Sequence, residues 1–170
     1  MSKAFTREEN GGPERPELPP TTSALPPGAK NYMTRAGADR LRAELAALIE
    51  TERPSLVAQS VDPESKRRIA ILDQRIFQLE QSLQAAEVIS PPESSAKRVT
   101  FGASVTVREP GGEISKYRIV GVDETDFDRG WVSWLSPIAR ALLNAKAGQR
   151  VRFKFPSGEE ELEILEITYE

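Results

Sequence analysis

Apolar residues in the first half of the chain recur at three- and four-residue steps, the spacing of one face of a helix. Thr34 is a residue type that caps helices, and Pro54 predicts a kink or a break in the first helical run. The second run makes a heptad seam. The seam residues are Ile69, Leu72, Ile76, Leu79, Leu83 and Ala86. The two runs predict an antiparallel helical hairpin, a short coiled coil, over residues 31–90.

The tip of this hairpin is predicted at residues 59–62. Asp62 followed by Pro63 is typical of a helix start, because the carboxylate accepts from free backbone amides and proline suits the first helical position. Glu64 then lies near the positive end of the helix dipole. Capping therefore accounts for both acids at the tip.

After residue 98 the apolar period changes to two, which predicts strands. Alternation is regular over residues 99–107, and four further strand-like segments follow. These segments are 117–122, 131–134, 150–155 and 162–169, with a short helix over 137–144. The pattern predicts an antiparallel sheet that carries one helix, and therefore an α+β protein.

Proline, glycine and serine mark the boundaries of these regions. Residues 1–30 contain six prolines and few large apolar groups, which predicts a disordered tail. A short partner-docking peptide around Phe5 is the alternative. Residues 91–97 form a linker, and residues 98–170 form the globular domain.

Composition excludes several kinds of chemistry. The chain has no Cys and no His, so it has no disulfide, thiol nucleophile, imidazole base or zinc-type ligand set. A net charge of -3 argues against a general nucleic-acid binder. There is no apolar run of about 20 residues and no signal-peptide pattern. We expect a cytoplasmic monomer that needs no cofactor, holds no metal and makes no contact with a membrane.

The acidic loop that follows the second predicted strand is the main candidate binding surface. Its acids are Asp123, Glu124 and Asp126, and it precedes the helix start Ser136-Pro137-Ile138. An exposed acidic and apolar loop suits a basic helical partner, whereas the alternative is a loop that is simply polar. Calcium binding is the weaker option, because the spacing lacks the Gly and terminal Glu of a dedicated loop.

Several short segments together resemble the Gre family of bacterial transcription elongation factors. These segments are Tyr32-Met33-Thr34, Val99-Thr100-Phe101-Gly102-Ala103, Ile119-Val120-Gly121-Val122-Asp123-Glu124, Ser136-Pro137-Ile138-Ala139-Arg140 and Glu163-Ile164-Leu165-Glu166-Ile167. The resemblance implies a globular domain with an FK506-binding-protein-like fold that docks on the rim of the RNA polymerase secondary channel, with the coiled coil reaching into the channel. The implied docking residues are Asp123, Glu124, Asp126, Ser136, Pro137 and Ile138.

The hairpin tip departs from the family pattern. Gre factors carry two acids three residues apart that help to hold a catalytic magnesium ion in the polymerase. This chain has only Asp62 and Glu64, and residues 57–88 are shorter than the family's arms by about two heptads, which removes about 10 Å of reach. Capping and metal binding remain the two interpretations of these acids.

The resemblance therefore implies a regulator of transcription elongation that is not itself an enzyme. It would bind RNA polymerase, would contact nucleic acid only through the transcription complex, and would not strongly stimulate transcript cleavage. One alternative is a peptidyl-prolyl isomerase or chaperone, suggested by the sheet fold alone. Another is a coiled-coil scaffold that self-associates through exposed residues such as Phe77.

Overall fold

A computed structural model describes residues 25–59, 62–92 and 97–169 of the 170-residue chain. The predicted tail up to residue 24 and most of the predicted linker lie outside the described residues, as do positions 60 and 61 of the predicted turn. The described parts form a helical hairpin and a sheet domain, which confirms the α+β class.

The first arm of the hairpin begins where the sequence predicts. Helix α1 (Arg35–Ala47) follows Thr34, whose hydroxyl accepts from the Gly37 amide at 3.0 Å. A π-helical turn (Leu48–Glu52) then leads into α2 (Arg53–Ala58), with Pro54 in its first turn. Proline has no amide proton to donate, and its ring crowds the carbonyl four residues back. The π-helical turn before Pro54 is wider than an α-helical turn and has room for the proline ring, so the arm continues through Pro54 and does not break.

The second arm is one helix, α3 (Pro63–Ala85). Leu72 and Leu79 of the seam are buried, and Leu79 is only 2% exposed. Two ion pairs join the arms: Arg53 Nε lies 2.6 Å from Asp73 Oδ1, and Arg75 Nη2 lies 2.7 Å from Glu44 Oε1. The arms therefore pack along a narrow apolar seam with charged flanks.

A short parallel sheet closes the base of the hairpin, and the sequence pattern did not predict it. Strand β1 (Asn31–Thr34) pairs with β2 (Ala86–Ile89), with Asn31 opposite Ala86 and Thr34 opposite Ile89. Ala86 of the predicted seam therefore lies just past the helix, in β2, where it still packs against the apolar cluster of the hairpin. The helix ends at Ala85 because the residues that follow pair as a strand with β1.

The globular domain is a five-stranded sheet in the order β5-β4-β3-β7-β6. Its strands are β3 (Ser104–Arg108), β4 (Ile114–Val120), β5 (Trp131–Ser133), β6 (Arg150–Phe155) and β7 (Gly158–Thr168). Strands β4 and β5 are parallel, so the sheet is mixed and not antiparallel throughout as predicted. A β4–β5 hairpin would have been antiparallel, but the chain crosses over between residues 121 and 130.

Several element ends differ from the sequence prediction. Strand β4 begins at Ile114 and not at residue 117, and β7 begins at Gly158 and not at residue 162. Strand β3 starts at Ser104 and not at residue 99, because a turn from Thr100 to Ala103 includes Gly102 at φ +84°. Helix α4 (Pro137–Leu142) stops two residues early, and Asn144 adopts a left-handed φ of 68°. Ala139 and Leu142 of α4 are buried with the inner face of the sheet in one apolar core.

Candidate functional site

Glu124 joins the hairpin to the globular domain. It ends a 3-10 turn (Val122–Glu124) after β4 and is only 1% exposed. Its Oε2 accepts from the amides of Thr34 at 2.9 Å and Gly121 at 3.0 Å, and its Oε1 accepts from the Thr34 hydroxyl. Glu124 is therefore a buried structural residue and not the exposed docking acid that the sequence predicted.

Asp123 makes a second link across the same junction. Its Oδ2 accepts from the hydroxyl of Ser82 on α3 and from the side-chain amide of Asn31 at 3.3 Å. The carboxylate is thus held against the base of the hairpin. Asp123 and Glu124 together act as a clamp between the two parts of the molecule, and only the half-buried Asp126 of the three predicted acids lies farther along the loop.

Two glycines allow this close approach. A Cβ atom at Gly37 would lie 1.9 Å from Glu124 Oε1, and one at Gly121 would lie 2.2 Å from the carbonyl oxygen of Tyr32. Both distances are far inside van der Waals contact. A side chain at Gly121 would collide with the backbone of β1, and one at Gly37 would displace the Glu124 carboxylate from its place at the junction.

The loop that follows the clamp, Asp126–Gly130, projects from the domain. Asp126 and Trp131 form an isolated bridge at its base, and Gly130 closes it at φ +69°. The Asp126 carboxylate accepts from the Arg129 amide at 3.2 Å and lies 3.4 Å from Arg129 Nε. Phe127 is 90% exposed. Sequence analysis did not single out Phe127, whose only signal was a lone aromatic between two acids.

Ser136, Pro137 and Ile138 lie where the resemblance predicts, at the start of α4. The Ser136 hydroxyl accepts from the Ala139 amide at 3.2 Å, which caps the helix, and Pro137 occupies the first turn and is exposed. Ile138 packs partly into the domain core. Pro137 therefore presents an accessible surface, whereas Ile138 has a largely structural role.

At the hairpin tip Asp62 caps α3, whereas Glu64 forms an ion pair. Asp62 Oδ1 accepts from the Ser65 amide at 2.9 Å, and Oδ2 accepts from the Ser65 hydroxyl at 3.0 Å. The bond from the Ser65 backbone is the main reason that the pKa of Asp62 falls below its usual value. Glu64 Oε1 lies 3.5 Å from Arg68 Nε. Across the described residues no three acids, His or Cys come together as a metal site.

The chain also matches known proteins. Residues 93–169 match the family model for "Transcription elongation factor, GreA/GreB, C-term". The chain is 38% identical over 154 residues to transcription elongation factor GreB of Neisseria meningitidis serogroup B strain MC58, covering 82% of this chain and 94% of that protein. It is 36% identical over 156 residues to transcription elongation factor GreA of Alkalilimnicola ehrlichii, covering 83% of this chain and 99% of that protein.

Among solved structures, the GreA/GreB elongation factor from Nitrosomonas europaea superposes with a TM-score of 0.40 at 25% identity, covering 82% of this chain and 100% of that one. Within the described residues no helix is both long and apolar enough to cross a membrane. With 38% identity to one elongation factor over nearly the whole length of that factor, this chain belongs to the GreA/GreB family of transcription elongation factors.

Proposed function

We propose that this protein binds bacterial RNA polymerase at the rim of the secondary channel and places its hairpin in the channel. It regulates elongation there without strongly stimulating transcript cleavage, and it has no enzymatic activity of its own. Membership of the GreA/GreB family supports the polymerase as partner. The observation that carries the docking assignment is the projecting loop Asp126–Gly130 with its exposed Phe127.

The composition of this loop suits a basic helical surface. Phe127 stands between Asp126 and Asp128, so an apolar ring is flanked by carboxylates. Aromatic residues at the centre of an interface contribute most of its binding energy, and charges at the rim act on partner choice and association rate. Pro137, exposed at the start of α4, is the second docking contact implied by the family.

The hairpin tip supports the second part of the proposal. Both oxygens of Asp62 accept hydrogen bonds from Ser65, so its carboxylate serves as a helix cap. Glu64 lies beside Arg68 and only two positions away from Asp62. A capping acid and a neighbouring ion-paired acid do not form the spaced pair that a magnesium ion needs.

The length of the arms supports the same conclusion. The 23 residues of α3 span about 34 Å. In the comparison with the Neisseria protein, 82% of this chain, about 139 residues, is aligned over 154 positions, so about 15 positions have no counterpart here. Two heptads missing from the hairpin would account for a difference of this size, and would leave the tip about 10 Å short.

The docking assignment is tested by capturing core RNA polymerase with the full chain and its variants. We expect Phe127→Ser to weaken binding at least tenfold, about 1.4 kcal/mol or more, because a solvent-exposed ring contributes to affinity only through a partner. Ile114→Ser is the matched control, since Ile114 is also an exposed apolar residue of the sheet domain, at 61%. Equal binding by parent and Phe127→Ser would refute the assignment.

A second variant tests the charge of the loop. Asp128→Lys should slow association and reduce its dependence on salt, because rim charges act mainly on the encounter rate. Glu113→Lys, at an exposed turn of the same domain, should leave both unchanged. Charge reversal at Glu124 does not test docking. Glu124 is buried, so the variant would lose binding because it fails to fold.

The two alternatives gain no support. The relatives named above are elongation factors, which does not favour a prolyl isomerase. Phe77 is 59% exposed on the hairpin, so self-association stays a prediction that sedimentation at varied protein concentration would test.

A further inference from the structure

Three arginines surround one indole at the junction of the hairpin and the globular domain. The guanidinium carbons of Arg40, Arg118 and Arg129 lie 5.4, 5.2 and 5.3 Å from the centre of the Trp131 ring. Arg40 comes from α1, Arg118 from β4 and Arg129 from the projecting loop. We call this group, together with Lys116, the Trp131 cleft.

The cleft contains two adjoining cavities. One of about 200 Å³ is lined by both parts of the molecule, including Arg40 and Gly37 from the hairpin. The other, of about 210 Å³, adds Lys116. Arg118, Arg129 and Trp131 line both of them. The basic groups therefore border a concave space and are not spread over a convex surface.

Positive charge in the cleft exceeds the negative charge available to it. Asp126 pairs with Arg129. Arg40 and Lys116 have no ion-pair partner within residues 25–59, 62–92 and 97–169. Glu124 also lines the first cavity and is a second acid, because the neutral donors of Thr34 and Gly121 do not cancel the charge of a carboxylate. Four basic residues of the cleft thus face two acids, Glu124 and Asp126. Contact with the indole face offsets only part of the repulsion between like charges, so an added anion would be stabilised here.

We propose that the Trp131 cleft binds a small oligophosphate anion: pyrophosphate, or the phosphate end of a nucleoside polyphosphate. Guanidinium groups bind phosphate oxygens through paired N–H donors, and Lys116, which lines the second cavity, adds a point charge. Each cavity is smaller than the roughly 300 Å³ at which pockets for drug-sized ligands begin, which favours a compact anion over a whole nucleotide. The proposal goes beyond polymerase binding and does not depend on it.

The position of Arg40 gives the site a mechanical consequence. Arg40 belongs to the hairpin, whereas Arg129 and Lys116 belong to the globular domain. An anion held between them bridges the two parts beside the Glu124 clamp. Binding should therefore stabilise the junction and raise the melting temperature of the full chain.

Two-dimensional NMR of the ¹⁵N-labelled full chain tests the proposal with sodium pyrophosphate as the probe. The chain has two tryptophans, and the Trp134→Phe variant assigns the remaining indole signal to Trp131. At constant ionic strength we expect the Trp131 signal to shift saturably, with a Kd of about 1 mM or below. Arg40→Gln should raise that Kd at least tenfold, because it removes a charged donor pair. It should also abolish the pyrophosphate-induced rise in melting temperature.

Arg42→Gln is the matched control. Arg42 lies two residues further along α1, is exposed, and pairs with Asp39 at 3.0 Å outside the cleft. Its Kd should stay within twofold of the parent's. A linear shift, an equal shift with sodium chloride, or an unchanged Kd in Arg40→Gln would overturn the proposal. Tighter binding of a short single-stranded oligonucleotide at the same signal would overturn the assignment to a small anion.

Discussion

Replacing Glu124 tests the clamp between the hairpin and the globular domain. In Glu124→Ala the amides of Thr34 and Gly121 and the Thr34 hydroxyl lose their shared acceptor. Glu124 is 1% exposed and Thr34 is 8% exposed, so water reaches these donors only after the junction loosens. The substitution therefore acts on three buried donors that share one side chain as their acceptor.

The size of the effect follows from the number of donors. A buried donor without a partner costs about 1–3 kcal/mol, and some rehydration through the vacated space reduces the sum. We expect Glu124→Ala to lower the free energy of unfolding by about 3–5 kcal/mol. Glu124→Gln keeps one oxygen that can face both amides, but its NH2 group replaces the oxygen that accepts from the Thr34 hydroxyl. It should therefore cost about 1–2 kcal/mol, less than Glu124→Ala.

Urea unfolding followed by far-UV circular dichroism measures both values, and limited proteolysis reports whether the junction opens first. Glu113→Ala, at an exposed turn, should stay within about 0.5 kcal/mol of the parent. A loss below about 1 kcal/mol in Glu124→Ala would refute the reasoning, as would a Gln variant less stable than the Ala variant.

Three further changes test the hairpin and the junction. Leu79→Ala should lower the free energy of unfolding in urea by roughly 2–5 kcal/mol, because Leu79 is 2% exposed. Phe77→Ala should lower it by less than about 1 kcal/mol, because Phe77 is 59% exposed. Equal losses would mean that the seam is misassigned. Asp62→Asn should leave the melting temperature unchanged and Asp62→Ala should lower it, since Asn caps as well as Asp. The pKa of Asp62 is lowered in the folded state, so the stability that the cap contributes is present above about pH 4 and is lost on acidification below it. A pH series of melting curves with Asp62→Asn as the reference would detect this loss. Gly37→Ala should lower the melting temperature because its Cβ would overlap Glu124 Oε1, and an unchanged value would contradict the close packing at the clamp.

Local patterns in the sequence predicted the elements well. The helical period, the Thr34 and Asp62 caps and the Ser136-Pro137 helix start all depend on neighbours within four residues, and the structure confirms each of them. Strand β6 (Arg150–Phe155) matches its predicted bounds, since a turn at either end fixes it locally.

Long-range pairing could not be predicted in the same way. The β1–β2 sheet joins residues 55 positions apart, such as Asn31 and Ala86, and neither four-residue strand has a distinctive pattern alone. Glu124 has the same difficulty: an acid in an acidic loop indicates exposure, and only its contact with Thr34, 90 positions away, shows that it is buried. The roles of Asp62 and Glu64 at the tip were easier to predict, because their partners Ser65 and Arg68 are close in the sequence.

The rate of transcript cleavage in a backtracked RNA polymerase complex, measured at saturating concentrations of this protein, tests the central proposal most directly. We predict that the rate stays at the level of polymerase alone, and that the protein reduces cleavage stimulated by a Gre factor that carries the acidic tip pair, because both would occupy one channel. Loss of this competition in Phe127→Ser, with Ile114→Ser still competing, would tie the effect to the docking loop. Robust cleavage that depends on this protein and disappears in Asp62→Asn would contradict the account.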